Sequence, residues 1–250
     1  MTLQVFTLRQ RPDLRGVIFS ERFKAPLWPE YMQQDATARL YFDAPFFERY
    51  LDFALIGFDG GEVVARAFSV PFAFNIAGRT ALPDGGWDEV IFWAHQDHAL
   101  GRKPSAVSAL EISLLPQVRG TGHSRTMLAA MKDNARALGF ADLYAPVRPN
   151  EKHHAPLMPM ADYLAQTRAD GLPVDAWLRT HLRIGGKIVK IAPYAMTIVG
   201  SVADWSRWTG MSFERSGPFV VAGALTPVQI SREHDHGIYV EPGVWVHHPL

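Results

Sequence analysis

Cysteine is absent from the 250 residues. Its absence excludes disulfides, thiolate zinc sites and a cysteine nucleophile, and it fits a reducing compartment. Net charge is absent as well, because 25 basic side chains balance 25 acidic ones. No electrostatic footprint for nucleic acid or an acidic membrane surface is left. Long apolar runs are missing: the run at 219–225 is too short to span a bilayer, and the first nine residues lack a signal-peptide core. A soluble cytoplasmic protein with no membrane partner is therefore expected. Also missing are Gly-x-Gly-x-x-Gly with an acidic residue about twenty positions on, and a Gly-Lys-Ser/Thr ending, so neither the dinucleotide fingerprint nor the nucleotide P-loop applies. No repeat, low-complexity tract or long linker divides the chain. With 48% hydrophobic residues it can bury a full core.

What is present concentrates at 106–150. Residues 106–115 are largely apolar, lack glycine and proline, and read as a buried strand that Pro116 ends. Gln117-Val118-Arg119-Gly120-Thr121-Gly122-His123-Ser124 follows, and its two glycines permit a tight turn and a close backbone approach to a ligand. Met127, Leu128, Met131, Ala135 and Leu138 then lay an apolar stripe along a helix that Gly139 can stop. Leu143, Ala145 and Val147 alternate as the next strand. A glycine-rich turn at a helix start points backbone N–H groups outward with the positive end of the helix dipole behind them, a ready site for a diphosphate.

Strand, proline, Arg119-Gly120-Thr121-Gly122-His123-Ser124, helix, Leu-Gly-Phe and second strand, in that order, resemble the acyl-CoA segment of the GCN5-related N-acetyltransferase superfamily, whose pattern is Arg/Gln-x-x-Gly-x-Gly/Ala. Ser124 stands where Gly or Ala is usual, and is small enough to keep the close approach. The resemblance implies an α+β fold, an αβα sandwich around a mixed, mostly antiparallel sheet. It also implies acetyl-CoA or another acyl-CoA as co-substrate, held by Arg119, Gly120, Thr121, Gly122, His123 and Ser124. Leu114 and Leu115 fall where the family donates backbone N–H groups to the thioester oxygen, a form of electrostatic stabilisation that needs no special side chain. Asn150 approximates the family's asparagine after the second strand, one residue early.

Elsewhere, residues 2–8 read as a first strand, and 14–50, rich in aromatics and prolines as in Ala25-Pro-Leu-Trp-Pro, as short helices and turns. Residues 52–58 and 62–74, joined by Asp59-Gly60-Gly61, read as a hairpin. Two insertions are expected at 75–105 and 151–174, the first as a lid or a subunit contact. Asp175 should cap a helix that Gly185-Gly186 ends. Residues 187–200 and 213–225 read as late strands joined by the Trp205 to Trp208 connection. The acyltransferase domain is expected over 1–225, with 226–250 a C-terminal extension packed on it and able to exchange strands with a second copy, a route to a homodimer.

Two side chains are candidates for acid–base work. Aligning Gly185 with the family's glycine puts His181 at the position of its acidic tyrosine, and an imidazole titrates near neutrality. Glu111, on the same strand as Leu114, could act as base if partly buried. Tyr144 and Tyr163 are fallback acids. The plainer alternatives are a core histidine and a carboxylate paired with arginine. His95/His98, His153/His154, His234/His236 and His247/His248 raise a metal site as a rival, although none has the spacing of a helical metal hydrolase. No metal is expected. The resulting expectation is an N-acyltransferase acting on a small-molecule amine; the alternatives are a silent acyl-CoA-binding module and a histidine-based metal enzyme.

Overall fold

A computed structural model describes residues 3–24 and 27–250. Thr2, expected to begin the first strand, and the Ala25-Pro26 pair lie outside the described residues. Alternating apolar residues set the sheet. β1 (Gln4–Thr7), β2 (Ala54–Asp59), β3 (Glu62–Phe72) and β4 (Ala106–Leu114) pair antiparallel in that order. β5 (Asp142–Val147) then joins β4 in parallel. Along β2 and β3, Ile56, Phe68, Val70 and Phe72 enter one apolar cluster while Leu55, Ala65 and Ala67 enter another. The sheet is thus buried on both faces, as the strand period requires.

Short helices α1 (Arg15–Ile18), α2 (Ala36–Phe42) and α3 (Ala44–Phe47) cover the first face together with α4 (Gly86–Ala99). On the second face lie α5 (His123–Ala137), whose Met127, Leu128, Met131 and Ala135 are buried, the short α6 (Met160–Ala165), and α7 (Ala176–Arg183). Leu138, expected in the α5 stripe, is instead exposed, because it follows the last helical residue. Asp175 caps α7, accepting from the Trp177 and Leu178 N–H groups at 3.0 and 2.9 Å.

Three expectations are refined. Within residues 75–105, α4 forms a core layer. Val90, Ile91 and Ala94 recur at helical spacing and are buried against the sheet, and buried Asp97 bonds Arg79 at 2.7 Å and the Ala73 N–H at 2.7 Å. Within 213–225 only β7 (Gly217–Phe219) is strand, after β6 (Lys187–Gly200) and α8 (Val202–Thr209). That helix replaces the expected connection, with a Ser201/Asp204 capping box and a fully buried Trp205. Third, the C-terminal segment supplies β8 (Val228–Ser231) and β9 (His236–Pro249), and β9 lies inside the sheet. One edge of β9 pairs with β6; the other pairs with β8 at its start and with β5 from Val244 to Pro249. Glu241 falls between those two stretches.

The described residues therefore form a mixed nine-stranded sheet flanked by helices. If β9 is core, truncating its largest side chain must open a cavity. Trp245 is fully buried and donates to the Pro83 carbonyl at 2.8 Å. Trp245→Ala should destabilise the fold by about 3–5 kcal/mol, a large part of a typical total of about 5–15 kcal/mol, and Trp245→Phe by clearly less. Urea unfolding midpoints would measure both.

Candidate active site

Pro116 opens a single helical turn, Pro116–Val118, that turns the chain away from β4. Gly120 and Gly122 sit at φ +79° and +88°, left-handed conformations that favour glycine, and a Cβ at either would meet nothing within 4 Å. Their glycines thus answer a backbone demand and leave open space in front. Thr121 ties the turn by donating its hydroxyl to the Val118 carbonyl at 2.7 Å. The N–H groups of Gly120, Thr121, Gly122, His123 and Ser124 find no acceptor among the described residues. They cluster at the positive end of α5, the arrangement that suits an anion. Arg119 is exposed and Ser124 half-buried. His123 differs from its neighbours: its ring is buried and lies 3.0 Å from Asp59, tacking the helix start to the β2–β3 turn. Only its backbone faces outward.

β4 and β5 pair only through Val107–Leu143 and Ser108–Tyr144. Beyond that point they part. Leu115 donates its N–H to Val64 at 2.9 Å, so by alternation Leu114 and Ile112 direct theirs away from β3, into the opening. Of the expected pair, Leu114 faces the opening, as Ile112 does, whereas the Leu115 N–H is taken up by β3. A bulge at Leu110 interrupts the β3 ladder, and its carbonyl accepts from the Trp87 indole at 3.0 Å. Asn150 is exposed three residues after β5, its carbonyl 2.7 Å from the His153 ring.

The two acid–base candidates lie in closed surroundings. Glu111 is held by Arg66 at 2.7 Å and by the Ser113 hydroxyl at 2.6 Å, while Arg66 also reaches the Ile18 carbonyl at 2.6 Å and lies against Phe23 and Phe68. It is the arginine-paired carboxylate. His181 is 2% exposed, packs edge-on against Trp177, and sits 2.9 Å from the His248 ring. Burial, then the His248 ring, lower its pKa to about 3. Such an imidazole stays neutral across the working range and suits a core pair better than a proton donor. Of the fallback acids, Tyr163 donates to Asp175 at 3.0 Å, and burial raises Tyr144, which stacks on His247. Among the described residues no group of three or more histidines and carboxylates is placed to hold a metal ion.

A polar locus that the sequence reading missed lies where the first turn of α4, β6, β9 and residues 31–37 meet. Asp88 accepts the Thr197 N–H at 3.0 Å through one oxygen. Burial, then the Asp35 charge, push it up to about 8, against the Thr197 N–H and the Thr37 hydroxyl. Asp35 caps α2 through Oδ1, 2.7 Å from the Ala38 N–H. Glu241 accepts both Arg148 Nε, at 3.0 Å, and the Tyr239 hydroxyl. The only local signal was Asp35 before a helical run. Nothing in the sequence links it to carboxylates so far along the chain.

Glycine loop, helix start and parted parallel strands follow the layout that the acyltransferase resemblance implies. No protein-family model matches the chain. Over 98% of its length it is 30% identical to the arginine N-acetyltransferase avaD of Aspergillus versicolor, 93% of which is covered. The chain belongs to the GCN5-related N-acetyltransferase superfamily, and it is an N-acyltransferase. Among solved structures, the loading GNATL domain of CurA from Lyngbya majuscula matches with TM-score 0.55 and 17% identity, covering 100% of this chain and 98% of that one. The GphF GNAT-like decarboxylase, in complex with isobutyryl-CoA, matches with TM-score 0.52 and 18% identity, over 100% and 99%. These two likenesses concern the fold. No helix among the described residues is long and apolar enough to cross a membrane.

The buried histidine pair has a measurable signature. Burial first, then the charges of Lys132 and His247, lower His248 to about 4. In the unfolded chain both rings take up protons near pH 6.5, so below that value the unfolded state binds more protons than the native one. The pair's contribution is complete above pH 6.5 and declines as pH falls towards 4 and then 3. Asp88, shifted upward, has the opposite slope, so the difference between native protein and His181→Asn carries the result. Between pH 7 and 5 the native urea midpoint should lose more than the variant's. Equal slopes would show that the pair titrates normally.

Proposed function

We propose that the protein transfers an acetyl or longer acyl group from acyl-CoA to the amine of a small molecule, by direct attack on the thioester. One observation carries this reading: the unpaired N–H groups of Gly120 to Ser124 lie at the end of the same strand whose Leu114 and Ile112 N–H groups face the opening beside β5. The loop would hold the diphosphate, with Arg119 exposed beside it and Asn150 at the far end of β5 as a further contact. Leu114 and Ile112 would receive the developing oxyanion. A single such donor contributes roughly 2.7–4 kcal/mol in enzymes where it has been removed, so two backbone groups can supply this stabilisation without a side chain. A C–N bond forms, the C–S bond breaks, and the proton shed by nitrogen balances the one taken up by the thiolate.

Neither Glu111, bound by Arg66, nor His181, buried against His248, is required by this scheme. Arginine is the acceptor in the name of the curated relative, so it is the first amine to try. A homodimer and a cytoplasmic location fit this reading and remain part of the proposal.

Acetyl-CoA at a hundred times its dissociation constant should stabilise the native state by roughly 2.7 kcal/mol, raising the melting midpoint by a few degrees. Gly122→Val should remove that shift, and turnover of an amine panel should fall with it. A shift without turnover of any amine would leave a binding module. No shift with any acyl-CoA would defeat the proposal.

A further inference from the structure

We propose that Asp35, Asp88 and Glu241 form the subsite for the cationic group of the acceptor, and that this group is a guanidinium. The inference rests on the acyltransferase reading above. Its starting point is a set of buried polar atoms without hydrogen-bond partners, two carboxylate oxygens and a hydroxyl that can also accept. Asp35, 1% exposed, spends Oδ1 on the α2 cap, and its Oδ2 has no hydrogen-bond partner. The Oδ1 of Asp88 has none, and neither has the hydroxyl of Tyr31, whose side chain is 1% exposed. Buried polar atoms in folded proteins are nearly always matched. Three mismatches in one locus point to a donor that arrives with a ligand.

The groups sit where α4 packs against α2, β6 and β9. Asp88 feels the charges of Asp35 and Glu241, Asp35 feels that of Glu241, and Tyr31 feels Glu241 and Arg148. Arg148 is spent on Glu241 and on the Gly223 carbonyl at 2.6 Å. Arg39, the other cation near Asp35, is exposed and bonded to Gln34. Acidic groups therefore outnumber the cations that reach them, and Asp88, kept largely protonated by burial and the Asp35 charge, would ionise once a cation arrived. Among the described residues no group of three or more carboxylates and histidines is placed to hold a metal ion, so the occupant proposed is an organic cation. A guanidinium presents five N–H donors in a fixed plane and accepts nothing, whereas an ammonium offers three. It can serve acceptors contributed by separate segments, as Arg148 already does within the chain.

The subsite also borders the proposed acyl site. Trp87, next to Asp88, bonds the Leu110 carbonyl of β4. Arg148 follows the last residue of β5, and Glu241 lies three residues before Val244, the β9 partner of Val147. A molecule anchored here by its guanidinium can extend its amine towards the opening.

Arginine and agmatine should be compared with citrulline, which replaces guanidinium by a neutral urea of equal length. Without any acyl-CoA, at least one guanidinium compound should raise the melting midpoint and citrulline should not. With acetyl-CoA, kcat/KM should favour the guanidinium compound by at least a hundredfold. Asp88→Asn and Asp35→Asn, which keeps a capping side chain, should raise its KM at least tenfold while the acetyl-CoA shift persists. Equal treatment of charged and neutral compounds by the native protein overturns the subsite, even if a variant fails to fold. Higher stability of both Asn variants with no response to guanidinium compounds also overturns it, in favour of carboxyls that share a proton. In either case a persisting acetyl-CoA shift leaves the acyltransferase reading standing, and loss of every acyl-CoA response defeats that reading separately.

Discussion

β4 is gripped along its length by β3 on one side, while β5 is gripped by β9 on the other. Between them the parallel ladder lasts for only two residue pairs. The rest of the site depends on that disagreement between neighbours. Two strands of a closed sheet consume each other's N–H groups, and a buried donor left unpaired costs about 1–3 kcal/mol. Here the Ile112 and Leu114 donors lose their strand partner because the antiparallel pairs on either side hold β4 and β5 on separate courses. The bulge at Leu110 adds to the parting, and Trp87 receives the carbonyl that the bulge turns out.

Trp87 also connects the opening to the rest of the molecule. Its neighbour Asp88 is tied to β6 through the Thr197 N–H, so the first turn of α4 spans from β4 on one side to the β6–β9 ribbon on the other. Packing holds that span rigid. Val90, Ile91 and Ala94 are sunk in the core, and Asp97 is locked by Arg79 and the Ala73 N–H. Rigid surroundings can keep Asp35, Asp88 and Tyr31 in place despite their unmatched atoms, each of which costs about 1–3 kcal/mol. A looser shell would relax and satisfy them. The core thus sustains a local cost in the empty protein, which a bound cation would offset.

Local chemistry explains which parts were legible in the sequence. Pro116, Gly120, Gly122 and Gly139 punctuate β4, the loop and α5 within one short stretch, and each acts on its own backbone, so the pattern survives without knowledge of the rest. The Asp175 cap was legible for the same reason. Helix α4 was not, because Trp87, Val90, Ile91, Phe92 and Trp93 form a nearly continuous aromatic and aliphatic run in which the helical period is hard to see. β9 read as an extension because its strand pattern is local but its place between β5 and β6 is not. His181 and Glu111 stood out as acid–base candidates. Their partners, His248 and Arg66, are distant in sequence, so neither pairing could be read there.

The absence of net charge conceals a separation of charge. The loop end presents backbone N–H groups and the positive end of α5, while the α4–β9 end holds more acidic groups than the one arginine bonded among them. Salt screens charges beyond about 8 Å at physiological strength, so a ligand meets these local fields and not the sum over the molecule. On the proposed reading the two co-substrates carry opposite charge at their anchoring ends, a diphosphate and a guanidinium. Each anchor is then attracted to its own end and repelled from the other, which orders both molecules with their reactive groups facing the opening between β4 and β5.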